Sequence, residues 1–221
     1  MMKIERFISQ YLSSNCYLVI EDAHSFLIDP CYNDELELIL KSKNMILDFI
    51  LLTHEHADHI SGIPWLKSIK ASPIVCSDKC AANIENDRMN YSRYYNVLKV
   101  FMQSLGVDDS VTMAPFICHA DKTFSKDIRF NWHGHEIFFK NTPGHSEGSI
   151  CCLVDQIYLF GGDTLFQSME TATRFKGGSK DAFQKISLPW LQNLSSSTMV
   201  FPGHFETFYL KDWIKYKGEK S

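Results

Sequence analysis

An apolar segment at residues 45–53 (MILDFILLT) ends abruptly at a motif rich in histidine. A nearly continuous apolar run between polar residues is typical of a strand that is buried on both faces of a layered sheet. The motif that follows, residues 53–59 (THEHADH), carries three imidazoles and the carboxylate of Asp58. The sequence therefore predicts a buried strand whose end presents a cluster of polar side chains.

The spacing of the histidines in this motif indicates a metal site. Imidazole nitrogen and carboxylate oxygen are ligands that Zn²⁺ and other borderline divalent ions take in proteins. His54 and His56 are two positions apart, so on an extended segment their side chains point the same way. A bend after the strand would turn Asp58 and His59 toward a second centre. We therefore interpret all four residues as candidate metal ligands.

Three later segments share one design, in which a short strand runs into a turn with a ligand-type residue. They are residues 142–145 (TPGH), 161–164 (GGDT) and 201–204 (FPGH). Glycine before the ligand permits a tight turn and a close approach of the backbone. The ligand-type residues of these segments are His145, Asp163 and His204. Together with the first motif, they predict a site at the strand ends of a layered α/β protein.

Strand and helix patterns are mixed along the chain and predict an α/β layered domain. Residues 130–140 and 150–160 have the pattern of two strands, and residues 181–194 have that of a helix kinked by Pro189. The length of 221 residues suits one domain, and no repeat or linker is visible, so we expect residues 1–221 to form a single domain.

The order of these motifs resembles the metallo-β-lactamase superfamily: His-x-His-x-Asp-His is followed by Gly-His, Gly-Asp-Thr and Pro-Gly-His. The resemblance implies a four-layer αββα sandwich, in which helices flank two mixed β-sheets and two metal ions lie at one sheet edge. The implied ligands are His54, His56 and His145 for the first metal, Asp58, His59 and His204 for the second, and Asp163 as the bridge. Zinc is the first expectation for both ions, and iron and manganese accept the same ligands.

Within this superfamily, the chain resembles the glyoxalase II-like branch of small hydrolases. Residues 142–149 (TPGHSEGS), 162–166 (GDTLF) and 200–204 (VFPGH) are typical of that branch. Only 17 residues follow His204, where glyoxalase II continues into a helical domain that helps to hold glutathione, and residues 170–178 (ETATRFKGG) replace the usual Gly-Arg. The resemblance therefore implies hydrolysis of a small thioester or ester-like substrate, as in hydroxyacylglutathione hydrolases, and leaves glutathione binding open.

The implied reaction depends on the metal pair. Two divalent cations about 3.5–4 Å apart share a water and lower its pKa toward about 7, and the bridging hydroxide attacks a carbonyl carbon. Asp58 would orient this nucleophile or relay its proton. Three alternatives stay open: an iron-dependent oxidoreductase resembling persulfide dioxygenases, a nucleic-acid-processing phosphodiesterase, and a non-catalytic sensor or scaffold.

Residues outside the ligand set offer few substrate-binding candidates. Arg174 and Lys176 carry the charge to clamp a carboxylate or phosphate, and an ordinary solvated loop explains them equally well. Tyr91 would form a cleft wall or pack on a helix face. His133 and His135 alternate on the predicted strand and share a face, so we expect surface or supporting roles for them rather than a third metal.

Composition limits the class of partner and the compartment. The 22 Lys and Arg residues against 26 Asp and Glu residues give a net charge of −4, which disfavours nucleic acid as a partner. No apolar run approaches the ~18 residues of a membrane span, and no signal peptide is visible. Seven irregularly spaced cysteines favour reduced thiols. We therefore expect a cytoplasmic enzyme with a small-molecule substrate, and a homodimer is compatible with the sequence.

Overall fold

The computed structural model describes residues 2–42, 44–102 and 111–213 and arranges their strands in two six-stranded sheets. The first sheet contains β1 (Lys3–Ile8), β2 (Asn15–Glu21), β3 (His24–Ile28), β4 (Ile46–Leu51), β5 (Ile74–Ser77) and β6 (Lys122–Phe124) in this order. The second sheet contains β7 (Ile128–Trp132), β8 (His135–Asn141), β9 (Ile150–Val154), β10 (Tyr158–Gly162), β11 (Met199–Pro202) and β12 (Phe208–Tyr209). Both sheets are mixed, because β3 to β6 are parallel and β10 pairs in parallel with β11, whereas the other pairs are antiparallel.

The two sheets pack face to face through a core of aromatic and branched side chains. Phe26 of β3 stacks on Phe49 of β4 with 4.8 Å between ring centroids. The Phe26 ring is also perpendicular to that of Trp132 in the second sheet, with 4.7 Å between centroids. Successive residues of a strand face opposite sides, so Tyr17 points into this core whereas Leu18 points away from it. Burial on both faces explains why β2 and β4 are nearly all apolar, and it confirms the strand predicted at residues 45–53.

Helices cover the outer faces of both sheets. The α-helices of the described ranges are α1 (Asp34–Lys41), α2 (Ala57–Ile60), α3 (Ile63–Ile69), α4 (Asp78–Ile84), α5 (Tyr95–Met102), α6 (Lys180–Ala182) and α7 (Leu188–Gln192). Of these, α5 packs through Tyr95 on Ala57 of α2 and not on a sheet face. Leu36 of α1 and Leu66 of α3 pack on the first sheet, whereas Leu191 of α7 packs on the second. The predicted four-layer αββα sandwich is therefore confirmed. No helix in the described ranges is both long and apolar enough to cross a lipid bilayer.

The single strand predicted at residues 130–140 is wrong, because the segment forms a hairpin of β7 and β8. The turn consists of His133 and Gly134, with φ of +47° and +92°. Two consecutive positive φ angles reverse the chain tightly, and the usual sequence signals for this turn are Asn-Gly and Asp-Gly. The turn also separates His133 from His135, so the two residues do not share a strand face.

Two other predicted elements are also interrupted. The single strand predicted at residues 150–160 is wrong, because Asp155, with φ of +50°, begins a turn that separates β9 from β10. The helix predicted at residues 181–194 is present, and its irregularity lies just before Pro189. There Phe183–Ser187 forms a π-helical turn between α6 and α7, because proline has no N–H with which to continue the helical hydrogen bonds.

Candidate metal centre

The seven predicted ligand residues meet at one edge of the sandwich, shortly after the ends of strands, and two of them, Asp58 and His59, lie in α2. His54, His56, Asp58 and His59 follow β4, His145 follows β8, Asp163 follows β10, and His204 follows β11. All are buried except His204, whose side chain is 15% exposed. Burial removes the water that would otherwise satisfy these polar atoms, so their partners have to lie within the site.

His54, His56 and His145 form a first ligand group. One nitrogen from each of the three rings lies within 4.8 Å of the others, and His145 Nε2 is 3.0 Å from His56 Nδ1. His54 Nε2 is buried and makes no hydrogen bond with any residue in the described ranges. A buried nitrogen without a partner is costly, so the geometry favours a bound group at this position.

Asp58, His59 and His204 form a second ligand group beside the first. His59 Nε2 and His204 Nε2 face each other at 3.3 Å, and Asp58 Oδ2 lies 3.4 Å and 3.3 Å from these two atoms. Asp163 connects the groups, because its Oδ1 is 3.4 Å from His59 Nε2 and its Oδ2 is 3.5 Å from His145 Nε2.

Outer hydrogen bonds orient four of the five imidazoles. The outer contacts are His54 Nδ1 with Thr53 Oγ1 (3.0 Å), His59 Nδ1 with Asp29 Oδ2 (2.9 Å), His145 Nδ1 with Ala172 O (2.8 Å) and His204 Nδ1 with Leu12 O (3.1 Å). Carbonyl and carboxylate oxygens only accept, so Nδ1 donates in the last three contacts and Nε2 turns its lone pair inward in the neutral ring. Metal-binding histidines in proteins are held in this way.

The donor set fits a divalent cation. Two imidazole lone pairs that face each other at 3.3 Å, as in His59 and His204, repel each other unless a positive charge lies between them. Nitrogen ligands about 2.0–2.1 Å from a tetrahedral zinc ion lie roughly 3.3–3.4 Å from one another. The 3.3–3.4 Å separations in the second ligand group match this spacing. In the first group, the 3.0 Å between His145 Nε2 and His56 Nδ1 is slightly shorter.

The pKa values of the imidazoles shift in opposite directions in the two ligand groups. Burial lowers the pKa of His56 to about 3, so this imidazole is neutral at physiological pH. Burial acts in the same direction on His59 and His204, but attraction by the carboxylates of Asp58 and Asp163 outweighs it and raises the pKa of both rings. Without a metal, His59 and His204 of the second ligand group therefore bind protons more tightly than His56 of the first group does.

A family comparison agrees with this geometry. The family model described as the Metallo-beta-lactamase superfamily matches residues 10–204, which include all seven candidate ligand residues. The chain belongs to this superfamily. The assignment fits the αββα layers and the position of the superfamily site at one sheet edge.

Individual members of the superfamily match most of the chain. The hydroxyacylglutathione hydrolase of Bartonella henselae is 27% identical over 92% of this chain and 67% of that enzyme. A probable metallo-hydrolase of Streptococcus pyogenes is 27% identical over 92% of this chain and 84% of that protein. The crystal structure of the BLEG-1 B3 metallo-beta-lactamase superposes with a TM-score of 0.78 at 22% identity, over 96% of this chain and 97% of that chain. Alignments with hydroxyacylglutathione hydrolases span only 54–68% of those enzymes.

Asp29 supports the candidate metal centre and was not predicted from the sequence. Its carboxylate accepts hydrogen bonds from Thr53 N (2.7 Å), Thr53 Oγ1 (2.5 Å) and His59 Nδ1 (2.9 Å). The Asp-Pro pair at residues 29–30 indicates only a turn. The available signal is the position of Asp29 directly after β3, which is the parallel neighbour of β4 and ends at the same sheet edge.

Glu55 is a second supporting residue within the histidine motif. It is 1% exposed, and it accepts hydrogen bonds from Asn83 Nδ2 and Ser146 Oγ, both at 2.8 Å. Its side chain therefore joins the loop of His54 and His56 to the loop that carries His145. Burial raises the pKa of Glu55.

An apolar cleft of about 260 Å³ opens beside the two ligand groups. Its lining residues are Leu12, His56, Ala57, Asp58, Tyr91, Tyr95, Leu98 and Phe175. The Tyr91 ring lies 5.0 Å from the His56 ring, and the Phe175 ring lies 5.5 Å from it. A bound molecule in this cleft would contact the site through His56 and Asp58 and would meet mainly aromatic and aliphatic surface elsewhere.

Of the three residues predicted to bind substrate, only Tyr91 lines the cleft. The Tyr91 hydroxyl accepts a hydrogen bond of 2.5 Å from the backbone N–H of Lys176. The Lys176 residue is exposed, and Arg174 lines a separate cavity of about 550 Å³. Phe175, between these two cations, was not predicted and is the residue of this segment that faces His56 and His145.

Proposed function

We propose that this chain is a metal-dependent hydrolase that uses two divalent cations to cleave a small thioester or ester-like substrate. The observation that carries the proposal is the convergence of two groups of inward-facing ligand atoms, joined by Asp163, beside an apolar cleft. Membership of the superfamily and the similarity to hydroxyacylglutathione hydrolases support the reaction class.

Each ligand group has a defined set of donor atoms. The proposed donors are His54 Nε2, His56 Nδ1 and His145 Nε2 for one cation, Asp58 Oδ2, His59 Nε2 and His204 Nε2 for the other, and both Asp163 oxygens between them. Such cations, when bound, lower the pKa of a shared water and polarise the carbonyl group that it attacks. Zinc suits the nitrogen-rich set, and iron and manganese take the same ligands.

Asp58 is the residue that we assign to proton handling. Burial alone would raise its pKa, but the nearby His59 and His204 imidazoles outweigh burial and hold it below the usual value. The side chain is therefore a carboxylate at neutral pH. Because Asp58 also lines the cleft, it can orient a water by accepting a hydrogen bond and can take up its proton.

The cleft favours an uncharged, compact substrate. Among the described residues that line it, none is a lysine or arginine, so the carboxylates of glutathione would meet no cationic side chain there. Its walls of Leu12, Leu98 and three aromatic rings fit an apolar acyl or thiol group of a few carbon atoms. We therefore propose a short-chain acyl thioester or a related ester in preference to a glutathione conjugate.

A thiol-release assay on zinc-loaded protein tests this function. The assay compares a butyryl thioester of N-acetylcysteamine with S-lactoylglutathione, and we expect faster cleavage of the first. Asp163→Asn is expected to lose at least about 100-fold in rate, since it removes a ligand shared by both groups. His119→Ala, which changes an exposed side chain paired with Glu85, serves as the matched control and should retain wild-type rate.

The same assay separates hydrolysis from the oxidoreductase alternative. Metal-loaded protein that cleaves neither thioester would refute the proposed thioester hydrolase. Iron-loaded protein that consumes oxygen with a persulfide substrate, and leaves both thioesters intact, would assign the chain to the persulfide dioxygenase-like class instead.

A further inference from the structure

A second cluster of metal-ligand side chains lies at the opposite ends of the strands that lead to the candidate centre. His24 begins β3, whose other end leads to Asp29, and Asp48 lies near the start of β4. His133 lies in the turn between β7 and β8, so it reaches the cluster from the other sheet. The ligand atoms of the three residues lie within 4.8 Å of one another.

The distances in this cluster fit a small cation. His24 Nδ1 is 3.0 Å from Asp48 Oδ1, and His133 Nε2 is 3.3 Å from Asp48 Oδ2. Ligands about 2.0–2.1 Å from a tetrahedral zinc ion lie roughly 3.3–3.4 Å apart, so little movement would close these atoms around one ion. The side chains of His24, Asp48 and His133 are 33%, 23% and 38% exposed, which leaves access for water as a further ligand.

Neighbouring residues hold the three ligands in place. Trp132 Nε1 donates a hydrogen bond of 2.8 Å to Asp48 Oδ2 and fixes the carboxylate. The His24 and His133 rings stack with 3.7 Å between centroids, so that a nitrogen of each ring lies beside Asp48. Supporting contacts of this kind orient ligands in metal sites.

The position of His133 is a separate indication of a ligand role. It occupies the first place of a two-residue turn with φ of +47°, where asparagine, aspartate and glycine are the favoured residues. One imidazole, that of His24, already pairs with Asp48. His133 is therefore a less suitable residue for this turn than asparagine or glycine, but it brings a second imidazole to the Asp48 carboxylate from the opposite sheet.

We propose that His24, Asp48 and His133 bind one zinc ion, with water completing its coordination. This ion ties the first sheet to the β7–β8 hairpin of the second, at the end of the sandwich away from the candidate centre. A ligand that binds only the folded state stabilises it, so the function of the site is structural. The proposal does not depend on the proposed enzymatic activity.

Zinc stoichiometry in His133→Asn tests the site. Asparagine suits the turn better than histidine, so this variant keeps the hairpin while it removes the imidazole. We equilibrate wild type, His133→Asn and the control His119→Ala with zinc buffered at about 10 µM free ion, and measure bound zinc by elemental analysis. Wild type and the control should hold one equivalent more than His133→Asn, however many ions the candidate centre contains.

Thermal unfolding gives a second readout. Zinc at about 100 times its Kd should raise the Tm of wild type by roughly 5 °C more than that of His133→Asn. Equal zinc content and equal Tm shifts in the two proteins would overturn the proposal. Loss of the same equivalent in His119→Ala would also overturn it, because the ion would then be held by exposed histidines in general.

Discussion

The variant Asp29→Asn tests whether Asp29 fixes the tautomer of His59 in the second ligand group. Asp29 is 3% exposed, and its carboxylate accepts one hydrogen bond from His59 Nδ1 and two from Thr53. An asparagine that keeps its carbonyl toward Thr53 N–H presents an NH₂ group to His59. Nδ1 then has to accept, the proton moves to Nε2, and the lone pair that faces His204 is lost.

The magnitude follows from this change of tautomer. Loss of a partner that orients a metal ligand typically costs 10–100-fold in metal affinity, or about 1.4–2.8 kcal/mol. Flipping the introduced amide would restore an acceptor for His59 Nδ1, but it would place the NH₂ group against the N–H of Thr53, and two donors repel each other. We therefore expect the cation of the second ligand group to bind about 10–100-fold more weakly in Asp29→Asn. The first ligand group should lose less affinity, because only His54 is linked to Asp29, and that link runs through the hydroxyl of Thr53.

Competition with a chromophoric chelator at neutral pH measures both affinities. Asp181→Asn, which changes an exposed carboxylate paired with Lys185, is the control and should behave as wild type. Circular dichroism establishes that the variant is folded. If folded Asp29→Asn bound both equivalents with wild-type affinity, the argument that Asp29 sets the tautomer of a metal-binding His59 would be refuted.

Three further predictions concern the same centre. Asp163→Asn should lose one metal equivalent and most activity while its circular dichroism stays that of wild type, and unchanged metal content would contradict the bridging role. Gly203→Ala places a Cβ against Asp163 Oδ1, so a chelator competition should find metal affinity lowered at least about 10-fold, and wild-type affinity would count against the packing argument. Because carboxylates outweigh burial and raise the pKa of His59 and His204, the second cation has to compete with protons at a higher pH than an ordinary imidazole would require, and its affinity should fall as the pH is lowered. His56, whose pKa burial lowers to about 3, is already neutral, so calorimetry in buffers of different ionisation enthalpy should detect proton release for one cation only, and equal release for both would be inconsistent with these shifts.

The sequence was sufficient to predict the layers and to bring the candidate ligands together. Their residue types are typical of metal sites, and each lies shortly after a predicted strand, so the expectation that the site of a layered α/β protein lies at strand ends was enough to place them. The predicted strands at residues 130–140 and 150–160 failed because apolar alternation continues through both hairpins. Their turns at His133 and Asp155 use pairs that are not strong turn signals.

The hydrogen bonds that orient the candidate ligands from outside the site could not be predicted from any local sequence pattern. Asp29 becomes a partner of His59 only because β3 and β4 are parallel neighbours, and the contact of His204 with the carbonyl of Leu12 spans 192 positions. Phe175 lies in a segment that was singled out for its charges, yet its ring and not the neighbouring cations reaches the cleft. The single domain, the cytoplasmic location and the homodimer stay predictions.

Anomalous diffraction at the zinc edge, from crystals of zinc-loaded protein, tests the central claim most directly. Two peaks at the sheet edge are expected, one within bonding distance of the nitrogens of the first ligand group and one within that of Asp58 Oδ2, His59 Nε2 and His204 Nε2. Asp163 should contact both. A single peak, or density in which His59 and His204 remain bonded only to protein atoms, would contradict the two-cation site.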